Sequence, residues 1–133
     1  MPELIWNEYE VIECLGVLPE TEEFFTSHYF KLVKDKFILQ ITIWQIESCI
    51  AISISKENDE KPFLTIYFIV RDILEFMNAK NFSSLKFQDC IIVSSRFWMY
   101  EENEKKNYFD KDIFPTKLNI ELCVYPRLEI KFH

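Results

Sequence analysis

Gly16 is the only glycine in a chain of 133 residues, where average usage near 7% would supply about nine. Glycine enters positive φ without steric penalty, so turns that need such a backbone must here recruit Asn or Asp, or lengthen. The same shortage narrows the chemistry. A phosphate-cradling P-loop, a dinucleotide-binding fingerprint and a nucleophile elbow each require two or more glycines at fixed spacing, and none can be written on this chain.

The chain still has the means to fold. Apolar residues make up 49% and aromatics 17%, enough to offset the entropy of ordering, and the length fits a single domain over residues 1–133 with one core. At 100° per residue, Leu4, Ile5, Tyr9, Val11, Ile12 and Leu15 share an arc about 160° wide, which predicts an amphipathic helix over residues 3–15. Glu3, Glu10 and Glu13 lie opposite, and Glu8 fits neither side. Pro2 before the segment and Gly16 after it match the asymmetry of helix termini. Pro19 with Glu20, Glu22 and Glu23 predicts a second, short helical turn.

From His28 the hydrophobic period becomes two. Tyr29 to Val33 reads as a strand and Lys34-Asp35-Lys36 as a tight turn. Phe37, Leu39, Ile41 and Ile43 share one face, whereas Ile46, Ile50, Ile52 and Ile54 have the other parity. A hairpin connection at Gln45–Ser48 resolves the flip. Lys56 to Lys61 is a polar loop in which Asn58-Asp59 would supply positive φ. Phe63 to Val70 is apolar at both parities and predicts a central strand covered on each side. Arg71 to Met77 fits either a strand or one helical turn capped by Asp72. Leu85 to Trp98 carries one or two strands, and Glu101 to Asp112 reads as a long exposed loop. Leu118 to Phe132 alternates again, interrupted by Pro126. The whole predicts a mainly β fold: an N-terminal helix, then a β-rich body over residues 28–133. That body is a mostly antiparallel β-sandwich or strongly curved sheet of about seven to eight strands, with a half-open barrel as the alternative.

The formal net charge of −7 is an N-terminal property. Glu3, Glu8, Glu10, Glu13, Glu20, Glu22 and Glu23 all precede the first basic residue, Lys31, and beyond them the remaining acids match the 15 bases. A localised field of one sign attracts a basic partner and repels a phosphate backbone, so nucleic acid is not the expected ligand. Trp6 projects between Glu10 and Glu13 on the expected helix. A large apolar body among steering charges has the composition of an interface anchor; the alternative is that Trp6 bends back against the sheet and the glutamates are an ordinary solvated face. Trp6, Glu10, Glu13, Glu20, Glu22 and Glu23 are therefore the candidate partner-binding residues.

Catalysis has little to work with. His28 reads as a boundary residue between the acidic segment and the first strand, and His133, the last residue, as mobile. Cys14, Cys49, Cys90 and Cys123 are scattered through apolar runs without metal-knuckle or redox spacing, as expected of reduced core thiols in a cytoplasmic protein. No metal or cofactor is expected. Phe37 to Ser55 is 19 residues with one charge, Glu47, but its alternation is that of strands, and a membrane span is not expected.

The order of segments resembles that of bacterial immunity proteins that neutralise polymorphic toxins. The matching pieces are Glu8-Tyr9-Glu10 through Leu15-Gly16, the break at Pro19, and Phe25-Thr26-Ser27-His28 leading into the first strand. Leu64 to Val70, Asp72-Ile73, and Asn78 to Phe82 before Leu85 complete the likeness. The spacer from Pro19 to Ser27 is longer than in that pattern. This resemblance implies a cytoplasmic, non-enzymatic inhibitor of one cognate toxin. The expected function is thus a small acidic protein-binding domain, monomer or homodimer, facing a basic toxin or nuclease. The alternative is a ligand-binding β-fold or cleft enzyme with Trp44, Tyr67 and Trp98 lining its cleft, to be recognised by a deep pocket of convergent polar groups.

Overall fold

A computed structural model describes residues 3–22, 27–59, 61–79, 82–101, 104–107 and 118–133. Among these are one helix, α1 (Glu8–Leu15), and ten strands. The strands are β1 (Glu20–Thr21), β2 (Ser27–Lys34), β3 (Phe37–Trp44), β4 (Cys49–Lys56), β5 (Leu64–Val70), β6 (Leu74–Ala79), β7 (Phe82–Glu101), β8 (Glu104–Asn107), β9 (Leu118–Tyr125) and β10 (Glu129–Phe132). All pair antiparallel in one open sheet, ordered β1-β2-β3-β4-β5-β7-β9-β10. Strand β6 follows β5 along one edge of β7, opposite β9, and β8 folds back on Trp98–Glu101. The mainly β architecture and the N-terminal helix agree with the sequence reading. The helix is shorter than predicted, Glu20–Thr21 is a strand rather than a helical turn, and Glu104–Asn107 is a strand inside the expected loop. The rest of that loop, residues 102–103 and 108–112, lies outside the described residues.

The hairpins solve the glycine shortage by placing other residues at positive φ. Lys34 pairs with Phe37, leaving Asp35-Lys36 as a two-residue turn with φ of 52° and 69°. Positive φ at both positions is the primed-turn geometry that matches strand twist. Gln45–Ser48 joins β3 to β4 where the parity flip predicted it. Ser48 takes φ 52°, and its hydroxyl donates to the Val70 carbonyl. The four-residue connection lets Leu39, Ile41 and Ile43 face Ile54, Ile52 and Ile50, all buried. Asn58-Asp59 does not take positive φ; there the Asp59 N–H closes an ordinary turn onto the Lys56 carbonyl. The fourth such residue, Asp89 at φ 54°, interrupts β7 instead.

That interruption splits one edge of β7 between β5 and β6. Across it the Arg71 guanidinium lies 2.7 Å from the Asp89 carboxylate. The Arg71 N–H donates to the Asp89 carbonyl, and the Asp89 N–H donates to Asn119 Oδ1 at 2.9 Å. Arg71 to Met77 is accordingly a strand resumed after a break, and Asp72 caps no helical turn.

Side chains from β2, β3, β4, β5, β6, β7 and β9 join one buried cluster, with Phe30, Ile41, Ile52, Ile66, Phe87 and Ile120 fully inaccessible. Leu4 and the α1 residues Val11, Cys14 and Leu15 join that cluster from outside the sheet, and Trp6, Ile12, Val17 and Phe63 pack against it half-buried. Eight helical residues cannot cover eight strand widths, and the sheet curls. Lys34 of β2 stands 5.4 Å from the ring centre of Tyr125 of β9, which brings distant strands together. The outer face is wetter. Strand β5 alternates buried Leu64, Ile66, Phe68 and Val70 with half-buried Thr65, Tyr67 and Ile69, so one of its faces is dry and the other only partly covered. Glu75, Lys86, Glu121 and Lys131 form a cross-strand row of alternating charge over β6, β7, β9 and β10. Pro126 sits in the β9–β10 hairpin. His133 is not mobile: it exchanges two backbone hydrogen bonds with Asn119.

Among the described residues no helix is long and apolar enough to cross a membrane; the stretch from Phe37 to Ser55 is β3, its connection and most of β4. All four cysteines are free and buried. Burial pushes the Cys14 and Cys90 thiols up from 9.0 to about 12.

Two outcomes are expected. Lys36→Gly removes a side chain from positive φ and stabilises the fold by about 0.5–1 kcal/mol net of the added chain entropy, measured by urea unfolding. The thiols set a pH dependence. Below pH 9 they are protonated in both states and pH has no effect through them. Above it the unfolded thiols ionise first, the folded state holds the extra protons, and stability falls as pH rises toward about 12. The fall is at most about 1.4 kcal/mol per pH unit for each thiol, and Cys90→Ala removes its share of the slope.

Candidate partner-binding surface

The acidic segment is pinned at its start by backbone pairing. The Leu4 N–H donates to the Gln45 carbonyl, Ile5 bridges Ile73 in parallel, and the Leu74 N–H donates to the Ile5 carbonyl. Residues held this way are extended, so the helix begins only where Asn7 can cap it. The Asn7 side chain accepts from the backbone N–H groups of Tyr9 and Glu10 at 3.0 and 3.3 Å. At the other end Gly16 takes φ 73° and its N–H returns to the Ile12 carbonyl at 2.8 Å. This single glycine terminates the helix as its position predicted.

The shortened helix changes which side chains face solvent. Val11, Cys14 and Leu15 are buried, while Ile5 is 63% exposed, Tyr9 83% and, past the helix, Leu18 79%. Tyr9 and Ile5 were expected on the apolar arc. They lie outside because the buried stripe of α1 runs through Val11, Cys14 and Leu15 and because Ile5 is not helical.

Trp6 is likewise off the helix. It is half-buried against the core, its ring edge-on to His28 with centres 4.9 Å apart. His28, the second residue of β2, is only 3% exposed. Its Nε2 lies 3.0 Å from Gln45 Oε1, while buried Nδ1 has no hydrogen-bond partner and stands 3.7 Å from Glu8 Oε1. That contact gives Glu8 its place: it turns toward β2, away from the other acids.

Of the candidate residues, Glu10 and Glu13 are exposed on α1, and Glu20 and Glu22 are exposed at and just after β1. Glu23 lies outside the described residues. Glu3 is also exposed, and no basic residue precedes Lys31. The anchor and the charges are thus on one stretch of chain, but the exposed aromatic is Tyr9 rather than Trp6.

Beside this stretch lies an open groove of about 410 Å³ between the N-terminal segment and β6. Ile5, Trp6 and Glu10 line one side, and Leu74, Glu75 and Phe76 the other. The alternative cleft takes a different form. Trp44 and Tyr67 pack on each other with ring centres 5.5 Å apart on the outer face, away from this groove. A hydrogen bond with Cys49, then burial, pushes the Tyr67 hydroxyl up to about 12. The side chain of Trp98 lies outside what the structure describes. Among the described residues no three His, Cys, Asp or Glu side chains cluster as metal ligands.

The two kinds of aromatic part company on mutation. Trp6→Ala removes a half-buried ring from His28 and the core and costs about 2 kcal/mol or more. Tyr9→Ala and Leu18→Ala remove exposed side chains and stay within about 0.5 kcal/mol of the parent. Urea unfolding of the three variants measures the difference.

Comparison of the chain with protein-family models, with curated proteins and with solved structures finds no match in any of the three.

Proposed function

We propose that this chain is a small acidic, non-enzymatic binding domain that docks a basic protein partner through residues 3–22. Its role is that of an immunity-type inhibitor of a basic toxin or nuclease in the cytoplasm. One observation carries the reading: a segment without a single base leaves Ile5, Tyr9 and Leu18 exposed among exposed Glu3, Glu10, Glu13, Glu20 and Glu22. Apolar anchors that fold stability does not need, surrounded by like charges, suit an interface in which the anchors give contact energy and the carboxylates speed encounter. The strongly curved sheet supplies a rigid base on which the segment is held by backbone bonds, so little ordering remains to be done on docking. Like-charged segments of two copies repel, which favours a heterologous partner over a second copy at this surface.

The ligand-binding alternative draws less support. The groove beside the segment is open, and Trp44 and Tyr67 pack on each other with ring centres 5.5 Å apart.

Affinity capture from the native host tests the reading, with the parent chain and two variants. One carries glutamine at Glu13, Glu20 and Glu22; the other carries Tyr9→Ala with Leu18→Ala. The parent retains a basic protein that is released by raising salt. The glutamine variant slows association and flattens that salt dependence, and the Tyr9/Leu18 variant weakens retention at every salt concentration. Capture of the same protein by all three, with unchanged salt dependence, overturns the proposal.

A further inference from the structure

The groove between the N-terminal segment and β6 has the chemistry of a socket for one long basic side chain. Its lining is about as polar as it is apolar: Ile5, Trp6, Leu74 and Phe76 contribute hydrocarbon, and each bank adds an exposed acidic residue, Glu10 from α1 and Glu75 from β6. Among the described residues neither carboxylate is in an ion pair. Lys86 is the cross-strand neighbour of both Glu75 and Glu121, and Glu121 has Lys131 as a second cation 3.9 Å away. A trough that combines hydrocarbon with an acid on each bank matches an amphipathic cation: a stem of methylenes lies on the apolar part of the lining and the charge reaches the carboxylates. A neutral apolar side chain would fill the trough and leave the carboxylates unsatisfied; an acidic one would be repelled.

We infer that the groove receives an arginine side chain of the partner. Arginine fits better than lysine because a planar guanidinium with five donors serves two carboxylates at once and packs well against an indole such as Trp6. The inference rests on the proposed docking of a basic protein and adds to it a place and a residue type. It also assigns Glu10 a role different from that of Glu13, Glu20 and Glu22, which act at a distance.

The test needs no partner. The capped peptide acetyl-Gly-Arg-Gly-amide is titrated into the isotopically labelled full chain, and the Trp6 indole and the Glu10 and Glu75 amides are followed by NMR. The control is the same peptide with citrulline, which keeps the shape and lacks the charge. The expected result is saturable shifts at these three residues with Kd on the order of 1 mM, and at least tenfold weaker binding of the citrulline peptide. In Glu10→Gln/Glu75→Gln the arginine peptide loses that preference, and in Glu20→Gln/Glu22→Gln it binds as to the parent. The inference is overturned by equal binding of both peptides, by equal losses in the two double variants, or by no saturable shift at these residues. That failure stands apart from failure of the docking proposal, whose variants leave Glu10 and Glu75 untouched.

Discussion

A single antiparallel sheet has one strongly apolar face, and among the described residues only an eight-residue helix lies against it. Everything else in the structure answers to that shortage of cover. Among the described residues α1 is the one helix, and the inner faces of β3, β4, β5, β7 and β9 nevertheless bury Ile41, Ile52, Ile66 and Ile120 completely. Curvature in turn demands places where the ladder breaks. One break is at Arg71–Ile73 opposite Asp89, where the charged pair of Arg71 with Asp89 and the Asn119 side chain take over from regular pairing. Bulges of this kind bend a strand and free its backbone groups for other partners.

The freed backbone is what the N-terminal segment uses. Ile5 bridges Ile73, within the break, and Leu74 resumes the ladder by donating to the Ile5 carbonyl. The segment is therefore anchored where the sheet is interrupted, and its position follows from the curvature of the sheet. Val11, Cys14 and Leu15 then fall on the cluster, and the acids of α1 fall outside because the opposite side is the only one left to them. Placement of the charges at the surface is dictated by burial. Their concentration in one stretch is not, since a solvated face tolerates lysine as readily as glutamate, and an interspersed mixture of signs costs nothing in folding.

Much of the fold was legible in the residues because period-two alternation is unambiguous where both hydrophobics and turns agree. The parity flip between Ile43 and Ile50 located the β3–β4 connection, and Lys34-Asp35-Lys36 located the turn before it. The helix start was misread for a physical reason. Leu4 and Ile5 satisfy a helical arc as well as they satisfy a strand, and nothing local says that their backbone will pair with Gln45 and Leu74, far away in sequence. The signal for the true start was present in Asn7 with Glu10 three residues on, the pattern of a capped first turn. The consequence for the site is direct: with the helix beginning at Glu8, Trp6 turns to His28, and Tyr9 and Leu18 become the exposed anchors. The groove was not legible at all, because it joins residues near position 5 to residues near position 75 across a break that only the folded sheet creates.

The contrast between His28 and the surface acids separates what the fold needs from what it merely permits. His28 is buried with one nitrogen held by Gln45 and the other facing Glu8 without a hydrogen bond, so Glu8 is committed to an internal contact. Trp6 covers the same imidazole and is committed with it. Tyr9, Leu18, Glu10, Glu13 and Glu20 have no such obligation: each stands in water, and removing any one leaves the core as it was. Large apolar side chains at around four-fifths exposure, as Tyr9 and Leu18 are, contribute nothing to folding, and an unbroken run of one charge opposes it slightly through self-repulsion. A feature that stability does not require and electrostatics mildly penalises is the kind that binding explains, and this is the physical basis of the proposal that residues 3–22 form a docking surface.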